Sequence, residues 1–377
     1  MIPADAVAAE TGRVLFPMDL DIRNRRFLFQ RTSIEALRSN AFVDNRFTGA
    51  DEAVQPVDVG ALRNLDLTPA PLRGYLLHTS FCCSTLLARL LDFPGRSLAL
   101  KEPLILRRLS DAALHGAHDP ELTAAAVQLL FRDIADGSAI LIKPTHVALN
   151  IAGELLASAP SAKTLLITST LEDFMISNIK KSEDTQRKVP ELVERFMAAS
   201  DLPARLPPEA FDPPSLLAGV ALQWHAQQQL VHDLLNGPAG PAVRVIQEAA
   251  LLQEPVATLR AALDWLGWSI ADEDIAAQAD LVMNKHAKSS GRAYNLQEKN
   301  HETELLKIKF SEQLSQALQW SSRCLSPYLR THICTITATI SAATGISPKP
   351  HSRPRTGAGH WVFTNRSSPR MAAMCLA

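Results

Sequence analysis

The stretch GYLLHTSFCCSTLLARLLDF (74–93) decides the fold. The segment YLLHT (75–79) is apolar enough for a buried strand, and STLLARLLD (84–92) has the apolar spacing of a helix. The segment HTSFCCST between them forms a tight turn. A strand, a turn and a helix in this order often bind a phosphate, because the first amides of a helix are unpaired donors. The turn is therefore either an anion site or a connector in which Ser84 and Thr85 merely cap the helix.

The turn lacks the residues of an ATP-binding loop. That loop reads G-x-x-x-x-G-K-[ST], whereas HTSFCCST contains neither glycine nor lysine, so a kinase or ATPase is not the first reading. The neighbouring Cys82 and Cys83 suggest a redox pair as an alternative. Adjacent cysteines form a disulfide only across a strained peptide, and a reducing compartment opposes it. A thiolate stabilised by the helix N-terminus stays open as a minor alternative.

Four more apolar segments predict strands that alternate with helices. They are SLALKEP (97–103), AILIKPT (139–145), AKTLLITS (162–169) and AVRVIQ (242–247). Strands this apolar are buried on both faces, and their alternation with helices predicts an α/β fold with a parallel central sheet flanked by helices. Ligands of such sheets bind beyond the carboxyl ends of the strands.

The chain divides into three parts by composition. Residues 1–70 form an N-terminal segment, partly helical, in which we expect no site; TSIEALRSNAFVDNRF (32–47) predicts a short helix opened by Thr32 or Ser33. Residues 71–323 form the α/β domain, with a helical insertion at about 183–240 and a helical C-terminal half. Within this domain we expect a helix over HVALNIAGELLASA (146–159), a long amphipathic helix at 213–236 and a final helix at roughly 300–322. Residues 324–377 form a tail rich in Ser, Thr, Pro and Arg that contains no Asp or Glu, and we expect it to be disordered.

Charge and cysteine usage exclude several classes. The net charge is −1, which does not favour a nucleic-acid partner. No apolar window is long enough for a membrane span, and the N-terminus lacks the pattern of a secretory signal. The five cysteines do not show the C-x-x-C spacing of a metal or thioredoxin site. We therefore expect a reduced, cytoplasmic protein without a metal.

Three segments, in the right order, resemble a known family. They are FCCST before a helix, LLITSTLEDFMIS at the fourth strand, and VRVIQEAALLQEPVATLRAALDWLG near the fifth. Over about 74–295 the chain resembles the sulfotransferases that use 3′-phosphoadenosine 5′-phosphosulfate (PAPS). The resemblance implies a P-loop NTPase-like, sulfotransferase-type fold with PAPS as co-substrate. It also implies transfer of a sulfuryl group to a hydroxyl or amine of a small-molecule, carbohydrate or lipid acceptor.

The resemblance also implies which residues bind the cofactor. The implied positions in the turn and after the fourth strand are Ser80, Phe81, Cys82, Cys83, Ser84, Thr85, Ser169 and Ser177. A later basic loop, NKHAKSSGRAYN (284–295), would cover the adenosine end through Lys288, Gly291 and Arg292.

The sequence departs from the family at three of these positions. The basic residue of the family's loop falls on Phe81, its glycine on Cys83, and the arginine for the 3′-phosphate on Ser169. Either other basic groups supply the missing charge or PAPS binds weakly. The candidates are Lys101, Lys143, Lys288 and Arg292.

Two segments at the carboxyl edge offer candidate catalytic residues. LIKPTH resembles a family segment in which a lysine assists the sulfuryl group and a histidine is the general base, which implies these roles for Lys143 and His146. LKEP offers Glu102 as a second base. The alternatives are that His146 only starts a helix and that Glu102 forms a salt bridge. A rival of another class is a catalytically inactive protein of the same fold that binds a nucleotide or a protein partner.

Overall fold

An antiparallel sheet begins the computed structural model, which describes residues 13–64, 67–134, 137–283 and 296–329. Its strands, in spatial order, are β1 (Arg13–Asp21), β2 (Arg26–Ser33) and β3 (Gln55–Asp58). The sequence analysis did not predict this sheet. It did predict the short helix α1 (Ile34–Ser39), which begins where the Ser33 hydroxyl accepts a hydrogen bond from the Ala36 amide.

The central sheet is parallel and has five strands. They are β4 (Arg73–His78), β5 (Ser97–Lys101), β6 (Ala139–Lys143), β7 (Lys163–Thr168) and β8 (Val243–Gln247). All five predicted strands are confirmed. Their order across the sheet is β5-β6-β4-β7-β8, so the chain first moves to one side of β4 and later to the other. This reversal puts the carboxyl end of β4 at the switch point, where open α/β sheets bind ligands.

Helices cover both faces of the central sheet, which gives the predicted α/β class. The helices that follow the strands are α2 (Ser84–Leu90), α3 (Leu104–Leu114), α4 (Pro120–Leu130), α5 (Ala152–Ser158) and α6 (Leu171–Ile179). The insertion contains α7 (Glu183–Gln186), α8 (Val189–Ala198) and α9 (Leu216–Asn236). The remaining helices are α10 (Glu248–Gln253), α11 (Pro255–Leu266), α12 (Asp272–Met283), α13 (Leu296–Lys309) and α14 (Ser311–Cys324).

Alternating side chains of β4 separate the core into two layers. Leu76 packs with α2, α11 and α12 on one face, whereas Tyr75 and Leu77 pack with α3, α5 and α9 on the other. Tyr75 is fully buried, and its hydroxyl donates to the Leu155 carbonyl at 3.0 Å. A Cβ on Gly74 would lie only 2.8 Å from Leu266 Cδ2, so glycine lets α11 pack close to the strand.

The N-terminal segment is joined to the edge of the central sheet. The Val43 amide donates to the Lys101 carbonyl at 2.6 Å, and the Leu104 amide donates to the Val43 carbonyl at 3.0 Å. Arg108 of α3 forms an ion pair with Asp19 of β1 at 2.9 Å. The loop after α1 therefore lies beside the carboxyl end of β5, close to the predicted site.

Two predictions about the C-terminal half need correction. The single final helix expected at 300–322 is two helices, α13 and α14, which meet at Phe310. The expected start of the tail at 324 lies inside the folded body, because Cys324 and Leu325 are buried in the core. The expected disorder concerns mainly residues 330–377, which lie outside the described residues.

Candidate active site

A cleft of about 1580 Å³ opens at the carboxyl ends of the central strands. The turn between β4 and α2 forms its floor, and α3, α6, α8 and α13 form its sides. The residues that the sequence predicts in the turn all line the cleft: Ser80, Phe81, Cys82, Cys83, Ser84 and Thr85. Glu102, His146 and Ser177 line it as well, which brings the two candidate bases and the candidate cofactor serine to one cavity.

The turn achieves its shape with two non-glycine residues in the left-handed region. Phe81 has φ of 56° and Cys83 has φ of 60°. Side chains disfavour this conformation by about 1 kcal/mol or more, and such residues concentrate at functional sites. The resemblance placed a glycine at Cys83. The backbone there has the conformation that glycine adopts readily, so the substitution changes the side chain and not the path of the chain.

Helix α9 fixes the start of the turn. The Gln227 side-chain oxygen accepts hydrogen bonds from the Ser80 amide at 2.7 Å and from its hydroxyl at 3.2 Å. The Thr168 hydroxyl accepts from Thr79 at 3.2 Å and from the Gln228 amide at 2.7 Å. The hydroxyl of Ser80 is therefore engaged within the protein, whereas Ser84 and Thr85 stand at the first turn of α2 on the cleft side.

The two cysteines of the turn differ in environment. Cys82 is buried, its thiol lies 3.0 Å from the Thr79 carbonyl, and burial raises its pKa to about 12. A thiol with this pKa supplies almost no thiolate at neutral pH, which opposes the redox alternative for Cys82. Cys83 lines the cleft, and its thiol donates to a carboxylate oxygen of Glu248 at 2.9 Å. Sequence reasoning missed Glu248, which places an acidic group beside the candidate anion loop.

A buried ion pair lies between the ends of β5 and β6. Lys143 Nζ lies 2.5 Å from Glu102 Oε1, and the lysine side chain is completely buried. Burial alone would raise the pKa of Glu102, but the charge of Lys143 outweighs it and the pKa falls to about 2. Glu102 thus stays ionised over the whole physiological range and is a weak base. Lys143, expected to touch the cofactor, is not among the residues that line the cleft in the described ranges.

His78 closes the space between the turn and the ion pair. Its Nδ1 lies 2.9 Å from the Thr79 carbonyl, and its Nε2 lies 2.9 Å from the Pro144 carbonyl and 4.0 Å from Glu102. Burial, aided by the charge of Lys143, lowers the pKa of His78 well below its usual value. A neutral ring has one N–H, so only one of the two carbonyl contacts is a hydrogen bond.

His146 occupies the position from which a base could act. It begins the 3-10 helix His146–Ile151 directly after β6 and is half-buried at the wall of the cleft. Its ring centroid lies 6.1 Å from that of His78 and 6.0 Å from that of Phe196. The longer helix predicted from 146 is this 3-10 turn followed by α5, which leaves the imidazole near the strand ends.

Lys101 does not supply the positive charge that was expected of it in the cleft. Its side chain is buried, and Nζ donates to the Arg38 carbonyl at 2.7 Å and to the Leu37 carbonyl at 3.3 Å. These carbonyls are among those that α1 leaves unpaired at its C-terminus. Burial lowers the pKa of Lys101 to about 8, although Asp92 at 3.8 Å opposes the shift. Lys101 therefore fixes α1 and does not face the cleft. Lys288, Gly291 and Arg292 lie outside the described residues.

Other lysines supply cations that sequence reasoning missed. Lys181 Nζ lies 4.9 Å from the ring centroid of Phe81, next to the position where the family carries its basic residue. Lys180, Lys188 and Lys307 also line the cleft. The run NIKKSEDTQRK (178–188), directly after the predicted fourth strand and its helix, was the available signal. Lys180 pairs with Glu302 at 2.9 Å, which ties α6 to α13.

The two serines after β7 are separated. Ser177 lies on the cleft side of α6. Ser169 is buried, and within the described residues its hydroxyl has no hydrogen-bond partner. Its carbonyl accepts from the Trp224 indole at 3.1 Å. Of the pair implied for the 3′-phosphate, only Ser177 faces the cavity.

Among the residues that the structure describes, acidic and basic side chains line the cleft in almost equal numbers. The basic ones are Arg46, Arg107, Arg108, Lys180, Lys181, Lys188 and Lys307. The acidic ones are Asp44, Glu102, Asp111, Asp173, Glu191, Glu248, Glu302 and Glu304. The N-terminal segment contributes Arg46, although no site was expected there.

Among the described residues, neither a metal-binding cluster nor a membrane-spanning helix is found. These residues contain no group of three or more His, Cys, Asp or Glu side chains that could hold a metal ion. None of the helices in the same ranges combines the length and the apolar character that crossing a membrane requires.

The chain is similar, at low sequence identity, to several solved structures of sulfotransferases. A sulfotransferase domain from the curacin biosynthetic pathway is 12% identical over 74% of this chain and 99% of its own, with a TM-score of 0.37. A sulfotransferase from Alicyclobacillus acidocaldarius is 16% identical over 69% of this chain and 99% of its own, with a TM-score of 0.34. A mouse sulfotransferase complexed with PAP is 12% identical over 70% and 93% of the two chains, with a TM-score of 0.34.

No family model matches the chain, and no curated protein matches it.

Proposed function

We propose that this protein transfers a sulfuryl group from PAPS to a hydroxyl or amine acceptor. The observation that carries the proposal is the shared cleft. It is lined by the turn with Ser84 and Thr85, by Ser177 of α6 and Lys181 just after this helix, and by His146. The turn, Ser177 and Lys181 offer hydrogen-bond donors and a positive charge to an anionic ligand, and His146 offers a general base.

The reaction needs one bond to form and one to break. The acceptor oxygen or nitrogen attacks sulfur, and the bond from sulfur to the bridging oxygen of the 5′-phosphate breaks with its electron pair on the phosphate. The products are the sulfated acceptor and adenosine 3′,5′-bisphosphate. His146 takes the proton of the attacking group, and Lys181 lies where it can balance the charge that develops on the loop side.

Glu102 fits a supporting role better than the role of base. Its pKa of about 2 makes it a poor proton acceptor near neutral pH, and its carboxylate is held by Lys143 at 2.5 Å. The pair would instead keep the strand ends in place and present a fixed negative charge near His78 and His146. Lys143 then acts through Glu102 rather than on the sulfuryl group.

Binding of the desulfated cofactor tests the first half of the proposal. Calorimetry with adenosine 3′,5′-bisphosphate should give a micromolar dissociation constant, and binding should weaken as the salt concentration rises. Lys181→Met should weaken it about tenfold, the worth of one charge-assisted contact. Lys309→Met is the matched control, because Lys309 also lies over a phenylalanine ring, 5.4 Å from the centroid of Phe310, but away from the cleft. Absence of heat at millimolar ligand would refute PAPS as donor.

Turnover tests the second half, after a screen with labelled PAPS has found an acceptor. His146→Ala should lower turnover by roughly 10² to 10⁴-fold, the usual worth of a general base, and should leave affinity for the bisphosphate within about twofold. Glu102→Gln should cost much less turnover per molecule of folded protein. Near-normal turnover of His146→Ala together with an inactive Glu102→Gln would exchange the two assignments.

A second candidate function is binding without catalysis. The observations in its favour are the carboxylate of Glu248 beside Cys83 and the near balance of charge in the cleft, both unfavourable for a multiply charged anion. This candidate predicts a bound nucleotide or protein partner and no turnover with any acceptor. The calorimetry and the acceptor screen together distinguish it from the enzyme.

A further inference from the structure

The side-chain amide of Gln223 is buried at the floor of the cleft without a partner. The residue is 0% exposed and lines the cleft. Within the described residues, neither its Nε2 nor its Oε1 has a hydrogen-bond partner. Buried polar groups are satisfied in nearly all proteins, so an amide with both ends unsatisfied needs an explanation. A ligand is one such explanation, because Gln223 is among the residues that line the cavity.

Gln223 stands beside the proposed reaction centre. It lies one helical turn before Gln227, whose side chain holds the Ser80 amide at 2.7 Å, and its own carbonyl lies 3.5 Å from Gln227 Nε2. The 3-10 helix that begins at His146 packs against α9. The amide is therefore placed between the turn proposed for the donor and the base proposed for the acceptor.

The two unsatisfied atoms define the chemistry of the ligand. Nε2 requires an acceptor, and Oε1 requires a donor. Phosphate and sulfuryl oxygens of PAPS at neutral pH are almost entirely acceptors, so they can satisfy only one end of the amide. A group with neighbouring hydroxyls satisfies both, because one hydroxyl accepts while the next donates. The many charged side chains along the cleft are also suited to hydroxyls rather than to an apolar ring.

We propose that Gln223 is the specificity-determining residue for the acceptor, and that the acceptor is a polyol with neighbouring hydroxyl groups. The inference deepens the proposed sulfuryl transfer and rests on it for the reaction, but the binding itself is separately measurable. Because the amide is sealed from water in this structure, the polyol reaches it only after a side chain of the floor has moved. Gln223 then exchanges an unsatisfied state for two hydrogen bonds.

Saturation-transfer NMR on the full chain tests this binding, with and without adenosine 3′,5′-bisphosphate. The probes are methyl α-D-glucopyranoside and myo-inositol, with cyclohexanol and 2-naphthol as ligands that carry a single hydroxyl. We expect signals from the two polyols with the wild type, and signals at least fivefold weaker with Gln223→Met. Gln319→Met, a change of the same kind at an exposed position of α14, should leave them unchanged.

Stability separates a binding role from a structural one. Gln223→Met removes two unsatisfied polar atoms at similar volume, so its melting temperature should equal or exceed that of the wild type. Gln223→Asn, which keeps the amide but withdraws it, should weaken the polyol signals as well. Melting several degrees lower in Gln223→Met would show that the amide holds an internal water or another structural contact, and would overturn the proposal.

Three other results would also overturn the inference. They are polyol signals equal in Gln223→Met and wild type, no polyol signal from the wild type, and a loss of bisphosphate affinity in Gln223→Met, which would assign the amide to the cofactor. Failure of the proposed function looks different: the wild type then gives no heat with the bisphosphate, whereas the polyol signals and their dependence on Gln223 persist.

Discussion

The two sides of the cleft carry their charge in opposite ways. On the lysine wall, formed by the residues just after α6 and just before α8, Lys181 and Lys188 lie in the connections outside these helices, and Lys188 is exposed. On the ion-pair wall, formed by the ends of β5 and β6, the completely buried Lys143 lies 2.5 Å from Glu102, whose side chain is 15% exposed. A charge of the lysine wall can be removed without disturbing the core. A charge of the ion-pair wall cannot be removed in this way, because the Glu102 carboxylate and the Lys143 ammonium group each compensate the cost of withdrawing the other from water.

The largest expected effect is on the ion-pair wall. Lys143→Met leaves the Glu102 carboxylate buried without its cation, which should lower the free energy of unfolding by about 3–5 kcal/mol. Chemical denaturation followed by circular dichroism measures the change. The double variant Lys143→Met/Glu102→Gln should recover a large part of the loss, because no unpaired charge is left. A single variant as stable as the wild type would end the distinction between the two walls.

Acid should weaken the ion-pair wall next most strongly. The folded-state pKa of Glu102 is about 2, against 4.5 ordinarily, so the unfolded chain takes up this proton first as pH falls. Its contribution, about 3 kcal/mol from the size of the shift, is complete above pH 4.5 and is lost between pH 4.5 and 2. Melting curves across this window should fall less steeply for Glu102→Gln than for the wild type. If the melting temperatures of the wild type and Glu102→Gln fall in parallel between pH 4.5 and 2, the loss of stability in acid does not come from Glu102.

The smallest expected effect on stability is on the lysine wall. Lys181→Met should change the free energy of unfolding by no more than about 0.5 kcal/mol, as is usual for surface substitutions, while it weakens binding of the bisphosphate. Denaturation and calorimetry on the same preparation measure both. A loss of stability comparable with that of Lys143→Met would show that Lys181 is structural and that the two walls do not differ in kind.

The central sheet could be predicted because its strands are continuous apolar runs between helices. The turn could be located because it separates the apolar runs of β4 and α2. Since ligands bind at the carboxyl ends of parallel strands, Glu102 and His146 could then be predicted to lie in the same cavity as the turn. The N-terminal sheet was missed because Pro17 lies inside β1, where proline normally argues against a strand. A shift of register between Pro17 and Asp19 accommodates it.

The orientation of the lysines could not be predicted from sequence. Lys101 and Lys143 end neighbouring strands and are paired in register, so both were expected to face the ligand. Each is instead held by a nearby group that only the fold brings close: the carbonyl end of α1 for Lys101, and Glu102 for Lys143. Likewise, the position of Gln223 depends on how α9 packs against the turn. The amphipathic pattern of α9 predicts a helix but does not predict where that helix packs.

The order of the central strands has a consequence for synthesis on the ribosome. Neither neighbour of β4 is β5, the strand translated next; they are β6 and β7, and the latter is complete only at Thr168. At roughly 5–20 residues per second, the apolar β4 leaves the ribosome several seconds before both of its hydrogen-bonding partners exist. A translational pause before Thr168 would prolong the exposure of this edge to aggregation, whereas a pause well after it would let the sheet close around β4.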